Sequence, residues 1–216
     1  LVTHKEFMPL DYLPTFNSAA IELNLHRIEE LSENYLYFND DMYMIRDCKP
    51  SDFYKNNLPK LFAVYDAIVP WAPITKTYLN NIELIYRHFP NKAAMKTSPW
   101  KFFNYRYGLR LFKNLVLLPW GPTGYVNPHL PVPMKKSTLA NLWQIEFETL
   151  DRTSKSKIRD YKVDVNQYIC QYWQIESNQF YPIAHNIGKS IDFNRLDQLD
   201  RIFKDKHKKL LCVNDN

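Results

Sequence analysis

Glycine is scarce in this chain, with four residues among 216. That excludes a glycine-rich phosphate loop, so any phosphate would fall to side chains or helix N-termini. Cysteine is nearly absent too: Cys48, Cys170 and Cys212 lie far apart with no C-x-x-C pair. The spacing of a cysteine-based zinc or redox motif is therefore missing. An odd number gives no disulfide framework, and a reducing compartment is the simpler setting. No Asn-x-Ser/Thr acceptor occurs, and no apolar run approaches the roughly 18 residues that read as membrane-spanning. The opening residues carry no signal-peptide pattern, and Leu1-Val2-Thr3-His4 reads as a strand end entering a loop. The natural protein is accordingly expected to start earlier and this chain to be a C-terminal part of it. Charge is modest, with net +5 and a pI near 8.9. That surplus suits an anionic ligand or membrane surface but is too small and dispersed to argue for nucleic acid.

What is present is apolar and aromatic. Hydrophobic residues make up 45% and aromatics 15%, enough for the core of one large domain or of a lobe of a larger enzyme. Helical periodicity predicts helices over 17–31, 74–89, 98–118, 137–150, 164–176 and 194–209. Asn17 or Ser18 is placed to cap the first, and Glu22 and His26, four apart, would share one face. "YLYF" (35–38) reads as a buried strand with Asn39-Asp40-Asp41 at its carboxyl end. Residues 51–73 read as irregular. The stretch 119–133 carries five prolines and two glycines, which exclude regular structure. "LLCVNDN" (210–216) reads as a final strand followed by polar residues.

Three polar residues directly after a buried strand either form a surface turn, which Asn and Asp favour, or hold a cation. Near-adjacent carboxylates such as Asp40 and Asp41 suit Mg²⁺ or Mn²⁺, hard ions that bridge diphosphate oxygens. Ligands in open α/β sheets bind outside strand carboxyl ends, which favours the second reading. Glu22, His26 and Arg27 offer an acid, a base and a cation on one helix, or else an ordinary solvated face. His129 sits in the proline-rich loop, and loops carry function more often than cores. Arg159 lies in the basic stretch "SKSKIRDYK" and would clamp phosphate only if geometry aims it. The Asn-Asp strand ends at 39–41 and 214–215 suggest one shared polar site.

Taken together, these segments resemble the Stealth family, the bacterial capsular polysaccharide phosphotransferases and the catalytic subunit of eukaryotic lysosomal-enzyme N-acetylglucosamine-1-phosphotransferase. "LPTFNSAAIELNLHRIEELSENYLYFNDDMYM" resembles the second conserved region, "NPHLPVPM" with "TSKSKIRDYKVDVNQYICQYW" the third, and "KKLLCVNDN" the fourth. The resemblance implies one catalytic domain over 1–216, with conserved regions at about 10–50, 120–175 and 208–216 and a variable helical insert at about 55–120. It implies an α/β fold, with a nucleotide-sugar-transferase-like sheet and a largely helical C-terminal part. The family's first region and the arginine-rich opening of its second are not found, so much of the sheet and nucleotide pocket is expected upstream of Leu1.

The implied reaction transfers a hexose-1-phosphate, such as N-acetylglucosamine-1-phosphate, from a UDP-sugar to a hydroxyl of a growing polysaccharide or glycan, with release of UMP. Matched residue by residue, Glu22, Asp41, His129 and Arg159 are the expected catalytic residues. Asn17, His26, Arg27, Asn214 and Asp215 are expected to bind substrate, and Asp40 with Asp41 to hold Mg²⁺ or Mn²⁺. Where the eukaryotic enzymes carry a second histidine, three positions after the first, this chain has Val132, which favours the bacterial branch. The expected setting is the bacterial cytoplasm, with peripheral contact at the inner membrane face and homo-oligomerisation as further expectations. A metal-dependent glycosyltransferase and a non-catalytic polysaccharide binder remain the rival readings. Trp100, Tyr105, Tyr107 and Trp120 would stack on sugar faces in the latter, or else pack in the core.

Overall fold

A computed structural model describes residues 1–184 and 187–214. They form a mixed α/β structure whose strands are divided among small sheets. β1 (Asn34–Tyr37) pairs antiparallel with β5 (Val132–Lys135), in register Tyr37 to Val132. β2 (Met42–Met44), β8 (Leu210–Asn214) and β7 (Gly188–Asp192) form a second sheet in the order β2-β8-β7. Its β2–β8 pair is antiparallel with Met42 opposite Cys212, and its β7–β8 pair is parallel with Asp192 opposite Asn214. β3 (Tyr54–Lys55), β4 (Leu58–Leu61) and β6 (Tyr181–Pro182) form a third.

The helices are α1 (His4–Phe7), α2 (Ser18–Glu22), α3 (Pro50–Phe53), α4 (Pro73–His88), α5 (Ala93–Thr97), α6 (Pro99–Phe102), α7 (Leu111–Val116), α8 (Lys136–Ile145), α9 (Phe147–Lys155), α10 (Tyr168–Glu176) and α11 (Leu199–Lys204). Every residue of α10 is buried, as expected for a helix apolar on nearly all sides. It packs against α4, α5, α8 and β5 at the centre of the main core, with Ile169, Tyr172 and Ile175 among its contacts. Its polar Gln174 is satisfied by strand backbone, accepting from Lys135 N at 3.0 Å and donating to Pro133 O at 3.3 Å. The core helix thereby also fixes the strand that follows the His129 loop.

The structure corrects several expected elements. The helix expected over 17–31 ends at Glu22, and a single 3₁₀ turn, Leu25–Arg27, follows. Asn24 is the cause. Its side chain donates to Ala20 O at 2.8 Å, taking the carbonyl that a continuing helix would offer the Asn24 N–H, and that N–H falls back to Ile21 O. The helix expected over 98–118 breaks into three pieces, because Gly108 adopts φ +55° and ψ −142° and Asn104 caps the middle turn through Arg106 N. The helix expected over 194–209 ends at Lys204, where Asp205 accepts from His207 N and turns the chain. Residues 51–73 are not all irregular, since Asn56 and Asn57, both at positive φ, close the β3–β4 hairpin.

Candidate active site

Two antiparallel ladders flank Asn39-Asp40-Asp41 and decide what it meets. Because β1 and β5 pair with Tyr37 opposite Val132, the residues leaving β1 run beside those entering β5, which include His129. Because β2 pairs with β8 with Met42 opposite Cys212, the start of β2 lies beside the end of β8, and Val213 N donates to Asp41 O at 3.0 Å. Asp41 is thus held where both ladders converge. Its Oδ2 accepts from His129 Nε2 at 2.9 Å and from the Cys212 thiol at 3.2 Å, while its Oδ1 is buried without a hydrogen-bond partner. His129 sits at φ +50°, a left-handed conformation that residues with a side chain adopt at a cost. Asn127 holds it there by accepting from His129 N at 3.0 Å.

His129, Glu22 and Arg159 all line one cleft of about 1230 Å³, together with Asp40, Asp192 and Asn214. That exceeds the roughly 300–1,000 Å³ of most small-ligand sites, so it has room for a large donor and part of an acceptor. A polar chain lines another part of the same cleft. Arg159 Nη2 donates to Ser18 Oγ, Ser18 bonds to Glu22, and Tyr37 Oη donates to Glu22 Oε1 at 2.8 Å. Burial raises the Glu22 carboxyl above the usual carboxylate range, against the opposing pull of the Tyr37 hydroxyl and the Arg159 cation. Tyr37 is raised as well, by burial and then by Glu22.

Arg159 owes its position to Asp164, which is wholly buried and gathers the loop around itself. It accepts from Asp160 N at 2.8 Å, Ser156 Oγ at 3.0 Å and Asn17 Nδ2 at 2.9 Å. Asn17 also caps α2 by accepting from Ala19 N. It therefore ties the helix that carries Glu22 to the loop that carries Arg159.

The structure brings Glu22, Asp41, His129 and Arg159 to one site and separates others from it. Asn17 is fully buried and does not line the cleft. His26 and Arg27 face Trp143 instead: the His26 ring lies 5.7 Å from it and the Arg27 guanidinium 4.7 Å above it. With the helix broken at Asn24, Glu22 and His26 no longer share a face. Asn214 lines the cleft, whereas Asp215 lies outside the described residues. Asp40 lines the cleft, but among the described residues the grouping of His, Cys, Asp and Glu that could hold a metal joins Asp41 to His129 and Cys212 and does not include Asp40.

Sequence reasoning missed Cys212, Asp164 and Asp192. Only Asp192 carried a visible signal, "KSID", a third strand ending in an acid. The pairing of β7 with β8 sets it beside Asn214.

Comparison with known proteins agrees with the earlier resemblance. Residues 1–61 match the Stealth protein CR2 family, conserved region 2. The chain is 36% identical over 217 residues to a capsular polysaccharide phosphotransferase WcwK of Streptococcus pneumoniae, covering 100% of this chain and 66% of that protein. It is 35% identical over 217 residues to the exopolysaccharide phosphotransferase cps2G of Lactiplantibacillus plantarum, covering 100% of this chain and 64% of that one. Over 113 residues it is 57% identical to the capsular polysaccharide phosphotransferase eps5J of Streptococcus thermophilus, covering 52% and 48%. The chain thus spans less than two thirds of the length of these relatives.

Proposed function

The chain belongs to the Stealth family, and from that premise we propose that it acts in capsular or exopolysaccharide synthesis as a phosphotransferase. It moves a hexose-1-phosphate from a UDP-sugar to an acceptor hydroxyl and releases UMP. The observation that carries this reading is the His129–Asp41 pair, 2.9 Å apart, beside a cleft also lined by Arg159 and Glu22. With Nε2–H donated to Asp41, Nδ1 is the ring's proton acceptor, and Asp41 fixes both tautomer and orientation. The acceptor oxygen attacks the phosphorus next to the sugar as its proton passes to Nδ1. The bond from that phosphorus to the bridging oxygen breaks, and UMP departs with that oxygen. Negative charge on the phosphoryl oxygens is met by the Arg159 guanidinium, whose planar fork suits them. Glu22 is placed to bind a sugar hydroxyl.

A hard divalent cation fits a different edge from the expected Asp40–Asp41 pair. Mg²⁺ and Mn²⁺ take oxygen ligands, and Asp41 is already engaged by an imidazole and a thiol. Asp40, Asp192 and Asn214 line the cleft, the last two side by side in the parallel β7–β8 pair, and would hold the ion. When bound, it would neutralise diphosphate charge.

No helix among the described residues is long and apolar enough to cross a membrane. Peripheral contact is supported by a run of exposed apolar side chains, Leu109, Phe112, Val116, Leu118 and Trp120, with Arg110 exposed in the same stretch. Product analysis after incubation with a UDP-sugar and a glycan acceptor tests the reaction. UMP supports sugar-phosphate transfer, UDP would mean glycosyl transfer, and neither product would mean a binding protein.

A further inference from the structure

We propose that Asp41, His129 and Cys212 form a binding site for a zinc-class transition-metal ion, and that occupancy of this site withdraws His129 from the reaction. One carboxylate oxygen, one imidazole nitrogen and one thiol sulfur lie within 4.8 Å of one another. The shortest separations are 2.9 Å from Asp41 Oδ2 to His129 Nε2 and 3.2 Å from Asp41 Oδ2 to Cys212 Sγ. Zinc bonds of about 2.0–2.3 Å in tetrahedral geometry place ligand atoms roughly 3.3–3.8 Å apart. His129 and Cys212 therefore each need to part from Asp41 by only about half an ångström to admit the ion, with their own ligand atoms already within 4.8 Å of each other. The other carboxylate oxygen, Asp41 Oδ1, is buried with no partner, a polar atom that a cation would satisfy.

The donor set identifies the ion class. Oxygen, nitrogen and sulfur together are a poor match for Mg²⁺ or Ca²⁺ and a good one for Zn²⁺ or Co²⁺. The three residues come from the loop after β1, the loop before β5 and the middle of β8, so no sequence spacing announces the site. His129 faces the cleft, which gives the ion a route in and leaves a fourth position for water. Cys212 is fully buried and supplies the sulfur ligand from the protein interior. On coordination the thiol releases its proton to solvent and the imidazole proton moves from Nε2 to Nδ1, so the nitrogen that would take the acceptor's proton is already protonated. An imidazole bound to a cation no longer serves as a base.

Binding rests on geometry alone, while the inhibition also rests on His129 being the base of the proposed reaction. Two measurements keep these apart. Titration of the purified protein with Co²⁺ should produce a thiolate-to-cobalt charge-transfer band that saturates at one equivalent and is abolished by added Zn²⁺. Cys212→Ser should remove the band, and Cys48→Ser should leave it. Because Cys212 is buried and its substitution risks misfolding, His129→Gln is the second variant, with cobalt affinity expected to fall by a factor on the order of 10² or more. A missing band, or one that survives in Cys212→Ser, overturns the site. In the second measurement, Zn²⁺ at concentrations that displace cobalt should suppress UMP release. Full UMP release with zinc bound would overturn the inhibitory role. Absence of UMP release without zinc would count against the proposed reaction, and the cobalt band would still decide the site.

Discussion

His129 Nε2 lies 2.9 Å from Asp41 Oδ2 although 88 residues separate the two in sequence. Neither ladder alone achieves this. The β1–β5 register brings the His129 loop alongside the residues leaving β1, and the β2–β8 register pins Asp41 by its own backbone. A pair held by two independent ladders has little freedom, which suits an orienting carboxylate and its base. His129→Ala should lower UMP release by a factor on the order of 10² or more, as for loss of a general base. Far-ultraviolet circular dichroism should be unchanged, because the ring sits at a cleft edge. Turnover within a few-fold of the parent protein would remove His129 from the chemistry.

Arg159 lines the same cleft, anchored by Ser18 and by the loop wound around Asp164. Arg159→Lys keeps the charge and loses the fork. We expect kcat to fall by about 10² or more, as when one preorganised donor is removed from an oxyanion site. Thermal stability should hold within a few degrees. If lysine supports normal kcat, Arg159 acts as a diffuse charge and the clamp is wrong.

Glu22 links activity to pH. Burial raises its carboxyl above the unfolded value, so the folded state favours the protonated form. The stability this contributes is fully present below the unfolded pKa of about 4.3 and is lost as pH rises through the folded pKa. Glu22→Gln abolishes that loss. The melting temperature of the variant relative to the parent should therefore climb between acid and neutral pH, while UMP release falls. A difference in melting temperature that stays flat with pH would show that Glu22 is ionised as readily folded as unfolded.

The segments that were legible in the sequence are those whose local pattern and tertiary role agree. The strand expected at 35–38 and found at 34–37 and the helix expected at 74–89 and found at 73–88 are of this kind, whereas the stretch 119–133, expected to exclude regular structure, gives Val132 and Pro133 to β5. The broken helix at Asn24 was hidden because its cause is a side chain reaching both Ala20 O and Ser154 Oγ, 130 residues away. Periodicity in apolar residues carries no trace of such a competitor. Cys212 and Asp164 were hidden for a related reason. Each acts through a partner distant in sequence, Asp41 for the thiol and Asn17 for the carboxylate. The resemblance named Asn17 as a substrate ligand, whereas the structure makes it the strut between α2 and the Arg159 loop.

His26 tests that difference between contact and position. Its ring is partly buried against Trp143 and its pKa is pushed down to about 4, chiefly by burial and then by Arg27. A histidine depressed in the folded state contributes stability that is present above its unfolded pKa, near 6.5, and is lost as pH falls through about 4. His26→Phe should preserve the ring packing and flatten this acid loss in melting experiments. KM for the UDP-sugar should not change, since His26 does not line the cleft. A KM raised tenfold with stability unaltered would return His26 to the substrate site.

The exposed apolar run sets the last prediction. Phe112, Val116 and Trp120 are each more than half exposed, and Leu109 is 83% exposed, within a chain of net charge +5. Large apolar side chains held in water beside Arg110 fit the interface of an anionic bilayer, where the rings enter the acyl boundary and the cation meets headgroup phosphate. The protein should co-sediment with vesicles containing phosphatidylglycerol and much less with pure phosphatidylcholine, and binding should weaken as salt screens the cation. Phe112→Ser with Trp120→Ser should abolish sedimentation and leave UMP release on a water-soluble acceptor intact. Equal binding to both vesicle types would assign the run to apolar contact without charge selection, and no binding to either would exclude the membrane as its partner.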